Sequence, residues 1–486
     1  MSSGTPRRRT MSLKDTMAQP TSDLVLPARV PRYPRWLVWI VLVALISLSL
    51  YGWLVIKELN AKKRLATILQ QIDANDPAWR LNDLQEKYEL REVDNELMKA
   101  LQSFTQYYSD DNLYALFWRS PNTRLTSNQV SELRKRRSAL ELSILPKFLE
   151  SQQDRSQRRF TEDYRGAPGK RKALREQFEY LMRYTSDEVF LAIEENQGDA
   201  AISALQFQLS LFDPYDGCPP LSVQDRGHQL LITCAHHVQT MLAQRILSEV
   251  QLSRLQKILN KHDKNGHLKQ LKLIRAEAND MLEKMQSDPI YRDDCFAHYF
   301  NTSGNTRSWV DEIKHNVDDW FRRSQAANTL AEAQAEVLEA LEEMMKYARE
   351  DSNKVVVKRS WPVTQQVAQT VLRDNYSTVY SYANAQATIR SATVAVACER
   401  YRLKNNHWPK SLDELVPLYL DQVPLDPYTG KPLLFKLLPD GAAVYSVGYD
   451  LKDDGGDVLP VGRGGLDRGV RLYDPHQRGK KREEGP

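Results

Sequence analysis

The sixty residues Ala397–Gly456, ACERYRLKNNHWPKSLDELVPLYLDQVPLDPYTGKPLLFKLLPDGAAVYSVGYDLKDDGG, decide how this chain is read. They close a helix, which spans Ala383–Leu403 with many small residues and a stripe of Ile389, Thr393, Val396 and the stem of Arg400. Asn405-Asn406 suits its C-terminal cap, because Asn tolerates the left-handed conformation. Pro409 holds Trp408 extended. Ser411 and Glu414 have capping-box spacing for a short helix over Leu412–Val416. Pro424 to Gly430 is turn chemistry, with the prolines fixing φ and Gly430 free to go positive. Leu433–Leu437 and Ala443–Val447 flank Pro439-Asp440-Gly441 and read as a β-hairpin. An acidic, Gly-rich loop follows.

Upstream, Lys57 to Leu403 reads as helix after helix. Ser186 is placed to cap a segment carrying Val189, Phe190 and Ile193. Gly198 ends that segment, and Asp199 caps the next, which carries Ile202, Leu205, Phe207 and Leu209. Asp213-Pro214 to Pro219-Pro220 is a firm break. A helix over Val223–Ser248 carries Leu231, Cys234, Val238, Met241 and Leu242 on one face. Ser253 and Gln256 then have capping-box spacing. Leu268, Leu271, Ile274, Ala278, Met281, Leu282 and Met285 recur at helical spacing, and Thr329–Arg349 is rich in strong helix formers. Stacked antiparallel helices follow, as a bundle or an irregular solenoid.

At the other end, Trp36–Ile56 holds 21 residues without a charge. Such a helix spans about 31 Å, against about 30 Å of bilayer hydrocarbon. Trp36, Trp39, Tyr51 and Trp53 sit where amphipathic rings suit the headgroups. The run is too long and starts too late for a cleaved signal peptide. Flanking charges nearly tie, with Arg29, Arg32 and Arg35 facing Lys57, Lys62, Lys63 and Arg64. Arg7, Arg8, Arg9 and Lys14 tip the N-terminus toward the cytoplasm.

The formal charge is only +4, from 67 basic and 63 acidic residues, so net charge gives no argument for nucleic acid. No HExxH, GxSxG or dinucleotide-binding glycine pattern occurs. Gly166–Lys170 fails as a phosphate loop, because Tyr164 stands where Gly is needed and Arg171 where Ser or Thr would hold magnesium. Cys234, His236 and His237 do not face one point on a helix, and read as a core Cys beside two surface histidines. The basic clusters Arg134–Arg137 and Arg155–Arg175 read first as solvated helix faces. Cys218, Cys234, Cys295 and Cys398 lack CxxC spacing; they form one or two disulfides or stay buried thiols.

The module resembles the C-terminal half of the major pseudopilin of type II secretion systems. The matching phrases are Asn405–Pro409, Asp426–Pro432 and Tyr445–Asp450. The anchor, the DPAWRL phrase at Asp76–Leu81 and the helical stretch also resemble single-pass envelope proteins of planctomycete-like bacteria. The pseudopilin resemblance implies an extracytoplasmic module with a calcium loop. Its ligands would be Ser446, Asp450 and Asp467, with Asp453, Asp454 and Asp457 weaker; a solvated acidic surface is the competing reading. One departure matters: no prepilin peptidase site precedes Trp36, so assembly into a pilus by N-terminal helix packing is not expected.

The expected fold is mainly α, with one transmembrane helix, a helical-hairpin ectodomain and a small α+β module. Its divisions are a disordered basic tail (1–35), the membrane helix (36–56), a helical ectodomain (57–382), the module (383–474) and a charged disordered tail (475–486). The expected protein sits in the bacterial cytoplasmic membrane, touching lipid through Trp36–Ile56, with its ectodomain outside and protein partners in the envelope. A structural or interaction role comes first, then docking onto secretion or pilus components, then a hydrolase without a recognisable motif.

Overall fold

The computed structural model describes residues 34–87, 120–140, 182–210, 221–263, 266–300, 329–350, 365–458 and 467–480. The expected phosphate-loop look-alike, the 155–175 basic cluster, the Asp213–Pro220 break and Cys218 lie outside them. Two compact units divide at Lys57. In the first, helix α1 (Arg35–Asn75) begins with an apolar stretch of mean hydropathy 2.3, none of it buried. This helix is long and apolar enough to cross a membrane.

The second unit, from Glu58 onward, is mainly helical. It comprises the remainder of α1, then α2 (Leu81–Lys87), α3 (Ser127–Leu140) and α4 (182–194). Next come α5 (Gly198–Ser210), α6 (Leu221–Gln244), α7 (Glu249–Asn260), α8 (His267–Ser287) and α9 (Pro289–Phe300). Helices α10 (Leu330–Glu350) and α11 (Gln366–Asn405) precede the strands β1 (Leu434–Leu438), β2 (Gly441–Ser446) and β3 (Arg468–Tyr473). The strands form an antiparallel sheet in the order β1-β2-β3, with Leu434 opposite Tyr445 and Ser446 opposite Arg468.

Helix α11 organises this unit. The expected division at Ala383 falls inside it, and the helix runs through that point unbroken. Its first half packs with α8 and α10 in a core that includes Leu271, Ile274, Val337, Leu341, Val371 and Ala387. Its second half joins α5, α6, α7 and the sheet in another core, through Ile389, Val394, Val396 and Cys398. From Tyr382 to Cys398 almost every residue is buried, and many are Ala. A helix covered all round needs small side chains where neighbours approach closely.

Several helix ends differ from the sequence expectation. Ser186 lies inside α4, where its hydroxyl donates to the Met182 carbonyl at 2.7 Å. Asn196, at φ 56°, ends that helix: its N–H bonds the Ile193 carbonyl, and Gln197 N–H bonds that of Ala192. Gly198 therefore opens α5, and a Cβ there would lie 2.8 Å from the Ile246 carbonyl oxygen. Helix α6 stops at Gln244, before left-handed Arg245. The capping box of α7 is Ser248 with Gln251, and Ser253 lies within the helix. Ser411 makes no side-chain cap, and Leu412–Leu415 is a 3-10 turn.

The DPAWRL phrase is a packing hub. Trp79 is buried, with the guanidiniums of Arg80 and Arg275 over its ring at 5.2 and 4.8 Å. Its indole N–H donates to Asp73 at 2.8 Å, and Arg275, itself buried, reaches Asp76 at 2.6 Å and also pairs with Glu342. The chain end also differs from expectation. Residues 475–480 are folded, and Lys480 N–H bonds the Asn122 carbonyl while its own carbonyl accepts from Arg124 N–H.

Candidate functional site

The C-terminal module is the candidate site, and its geometry follows from covering both faces of β2. Ala442 and Val444 turn toward the main core with Val470 and Leu472. Ala443 and Tyr445 turn the other way and pack with Val458. The acidic, Gly-rich loop closes over this second face. Gly456 sits there at φ 75°, where a Cβ would come within 2.9 Å of the Tyr445 ring.

The turn is fastened by Asp426, a residue the sequence reading did not single out. This buried carboxylate accepts from Tyr428 N–H at 2.8 Å, Ser446 hydroxyl at 2.7 Å and Val447 N–H at 3.3 Å. Gly430 is at φ 70°, as the turn chemistry requires. Arg390 of α11 reaches the Leu425 carbonyl and Asp263, each at 2.8 Å, which ties the turn to the helices.

The residues expected to hold calcium are placed as follows. The Ser446 hydroxyl is committed to Asp426. Asp450 accepts from Lys452 N–H at 3.2 Å. Asp453 accepts from the Tyr445 hydroxyl at 3.0 Å and Gly455 N–H at 2.8 Å. Asp467 is buried and accepts from Asp454 N–H at 3.3 Å and Gly456 N–H at 2.9 Å. Asp457 is exposed on the same loop. Burial pushes the Asp467 carboxyl up; the two N–H bonds oppose this, and the charges of Asp453 and Asp454 add to it. Among the described residues, no three His, Cys, Asp or Glu side chains are arranged to hold a metal.

A buried ion cluster locks the chain end to α11. Glu399 takes two hydrogen bonds from Arg402, at 2.9 and 2.7 Å, and two from Arg478, at 2.7 and 2.8 Å. The side chains of Arg478 and Glu399 are 2% and 4% exposed, so each charge depends on the others for solvation. Trp408 adjoins both guanidiniums, and its indole donates to Asp474 at 2.7 Å. Burial alone would raise the Glu399 carboxyl. The bonds and charges of Arg478 and Arg402 outweigh it and hold the group below its ordinary range.

The histidines of α6 differ from the expected surface placement. His236 and His237 are buried, because α6 is enclosed on nearly every side. His237 Nδ1 lies 2.9 Å from Gln208 Oε1, an acceptor, so that nitrogen carries the proton. The Cys234 thiol donates to the same oxygen at 3.4 Å, and Gln208 Nε2 donates to Ser186 at 2.9 Å. Near the other end of α6, His228 meets the Tyr382 ring edge-on at 5.5 Å, and His267 stacks on that ring at 6.1 Å. The Tyr382 hydroxyl accepts from Gly266 N–H at 2.6 Å. Burial lowers His267 to about 4, so it is neutral at physiological pH. Cys234 and Cys398 are free thiols, and burial pushes both up, which keeps them protonated.

On α3, Arg134 pairs with Glu195, Arg136 with Glu132 and Arg137 with Glu188; Arg136 is buried, unlike the solvated face expected there. No family model matches the chain, and neither a curated protein nor a solved structure does.

The ion cluster generates a pH prediction. With its folded pKa lowered, Glu399 stabilises the fold above the unfolded carboxylate range, about 4.3. That contribution is lost as pH falls through the lower folded value. Glu399→Gln leaves two buried guanidiniums without a counter-charge and is expected to cost about 3–5 kcal/mol at pH 7. Urea melts of both proteins should differ by this amount at pH 7, and the gap should shrink steadily as pH falls below the unfolded carboxylate range. A pH-independent gap would contradict the assignment.

Proposed function

We propose that this chain is a single-pass protein of the bacterial cytoplasmic membrane, with an extracytoplasmic ectodomain that serves as a structural or interaction scaffold. The observation that carries this reading is the exposed apolar surface of α1. Trp36, Trp39 and Leu48 are all more than 60% exposed, and a surface of this kind requires lipid or another apolar cover. A scaffold role is supported by where the reactive groups lie. Cys234, Cys398, His267 and Glu399 are packed between elements, where they hold the fold together.

The order of the module favours a second reading, docking onto pseudopilins or related envelope assemblies. A helix capped by left-handed Asn406, Trp408-Pro409, the Asp426 turn, the hairpin and the acidic loop occur in the resembling sequence order. The anchor lies more than 300 residues before this module, which favours a carried domain over a pilin subunit.

Topology is tested by reporter fusion at the C-terminus. The expected result is active alkaline phosphatase together with a dark green fluorescent protein fusion. Bright fluorescence with inactive phosphatase would place the ectodomain in the cytoplasm. An intact N-terminus on the membrane-bound chain is also expected, and removal of the apolar stretch would show a signal sequence instead.

Calcium in the acidic loop belongs to the same proposal. Its support is the Asp467 carboxyl, raised by burial and further by the charges of Asp453 and Asp454, whose repulsion a divalent cation relieves. Ser446, Asp450 and Asp467, with Asp453, Asp454 and Asp457 as weaker ligands, would hold the ion; Ser446 is now bonded to Asp426, and Asp450, Asp453 and Asp467 accept N–H or hydroxyl donors, so binding requires the loop to turn. Saturating calcium should stabilise the full chain by about 2.7 kcal/mol at a hundred times Kd. Asp467→Asn should abolish that shift. No shift in the wild-type melt removes calcium from the account.

A further inference from the structure

The start of α8 is held to α11 through one tyrosine. Helix α8 opens at His267 with no side-chain cap and no acidic residue in its first turn. Tyr382 of α11 does part of what a cap would do. Its hydroxyl accepts the Gly266 N–H at 2.6 Å, and its ring stacks on His267 at 6.1 Å with the planes 20° apart. His228 of α6 meets the same ring edge-on at 5.5 Å. All three residues are buried. The contact falls where α11 passes from one core to the other: Ala383 and Ala387 pack with α8 and α10, while Ala385 and Ile389 pack with α6 and the sheet.

A proton on His267 is costly in this place. The residue is 3% exposed, so a charged ring would be cut off from water. It also sits at the positive end of the α8 dipole, where a cation is repelled. Stacking on Tyr382 returns little, because 6.1 Å lies at the limit of cation–π range. The charges on the surrounding elements do not offset this. Asp263, in the turn before α8, is held by Arg390 of α11 at 2.8 Å. Asp225 of α6 lies 3.9 Å from His228 Nδ1 and accepts the Thr378 hydroxyl at 3.3 Å. Lys269, exposed in the first turn of α8, adds positive charge, and the remaining titratable neighbours, His262 and Tyr428, are buried. Burial accordingly lowers His267 from its ordinary 6.5 to about 4.

We propose that His267 and Tyr382 form an acid-released latch between α8 and α11. The latch is closed while His267 is neutral. In the open form the ring reaches water and takes up a proton at its ordinary affinity, so acid favours opening. The latch therefore contributes fully above about 6.5, and its contribution is lost as pH falls toward about 4. Opening frees the first turns of α8 and uncovers Leu271 and Ile274, which are buried in the core shared with α10 and α11. The latch belongs to the fold whatever the membrane topology. The scaffold reading adds only that an extracytoplasmic ectodomain meets the pH of the medium.

The test is amide hydrogen exchange of the full chain in non-ionic detergent between about pH 7 and pH 5, with rates corrected for the pH dependence of intrinsic exchange. This range lies above that in which the Glu399 cluster fails. Amides of residues 270–274 should lose protection by about ten-fold per unit once pH is below about 6.5, and should open at a lower free energy than β2. His267→Phe keeps a stacked ring that cannot titrate and should flatten that slope. Tyr382→Phe removes the hydroxyl and should lower protection at every pH while keeping the slope. Thermal melts at pH 7 check that both variants are folded. Exchange at the imidazole C2 carbon reads His267 in the wild-type chain without any substitution, and a midpoint near 4 is expected. A midpoint near 6.5, an unchanged slope in His267→Phe, or exchange of residues 270–274 only together with β2 would each overturn the proposal.

Discussion

Helix α11 must be covered on every side from Tyr382 to Cys398, and the rest of the ectodomain is arranged to do so. No single layer can enclose a helix. Here α8 and α10 cover its first half, while α6, α7 and the sheet cover its second. The price is a sequence rich in Ala, whose small side chains bury little apolar area each. Stability has to come from the neighbours, through Leu252, Leu255 and Leu259 of α7 and Val444 and Leu472 of the sheet, all fully or nearly fully buried.

Non-directional burial would allow these elements to slide, and buried polar anchors restrict that. Asp426 fixes the turn against the end of β2, and Arg390 fixes the same turn to α11. Glu399 joins the chain end to the last turns of α11 through two guanidiniums. Arg275 and Trp79 serve the same purpose where the DPAWRL phrase meets α8 and α10. Each anchor pairs groups far apart in sequence, so each is satisfied in one tertiary arrangement and costly in others. Such groups are directional where the surrounding aliphatic packing is tolerant.

What the sequence revealed follows the range of the interactions involved. Asn406 and Gly430 were legible because their backbone conformation is decided by neighbouring residues. The β1–β2 hairpin was legible because a turn separates two short apolar runs. The segment SEVQLSRLQ offers S-x-x-Q twice, and local spacing cannot choose between Ser248 and Ser253. The break at Arg245 and the burial of Leu252 choose Ser248. Strand β3 was missed because Gly469 and two arginines dilute its apolar pattern, and its partner lies more than twenty residues earlier. The burial of His236 and His237 was missed because only tertiary packing puts α6 at the centre. Asp426 and Arg478 were missed for a related reason. A turn aspartate and a terminal arginine look solvated until their partners are known.

The central claim is that α11 makes the helical layers and the C-terminal sheet one cooperative body. Hydrogen–deuterium exchange of the full chain in detergent tests it most directly. Amides of residues 383–398 and of β2 should be the slowest to exchange, and with rising denaturant they should lose protection together, at the free energy of global unfolding. Protection of β2 that persists after residues 383–398 have exchanged, or the reverse, would contradict the claim and divide the ectodomain in two.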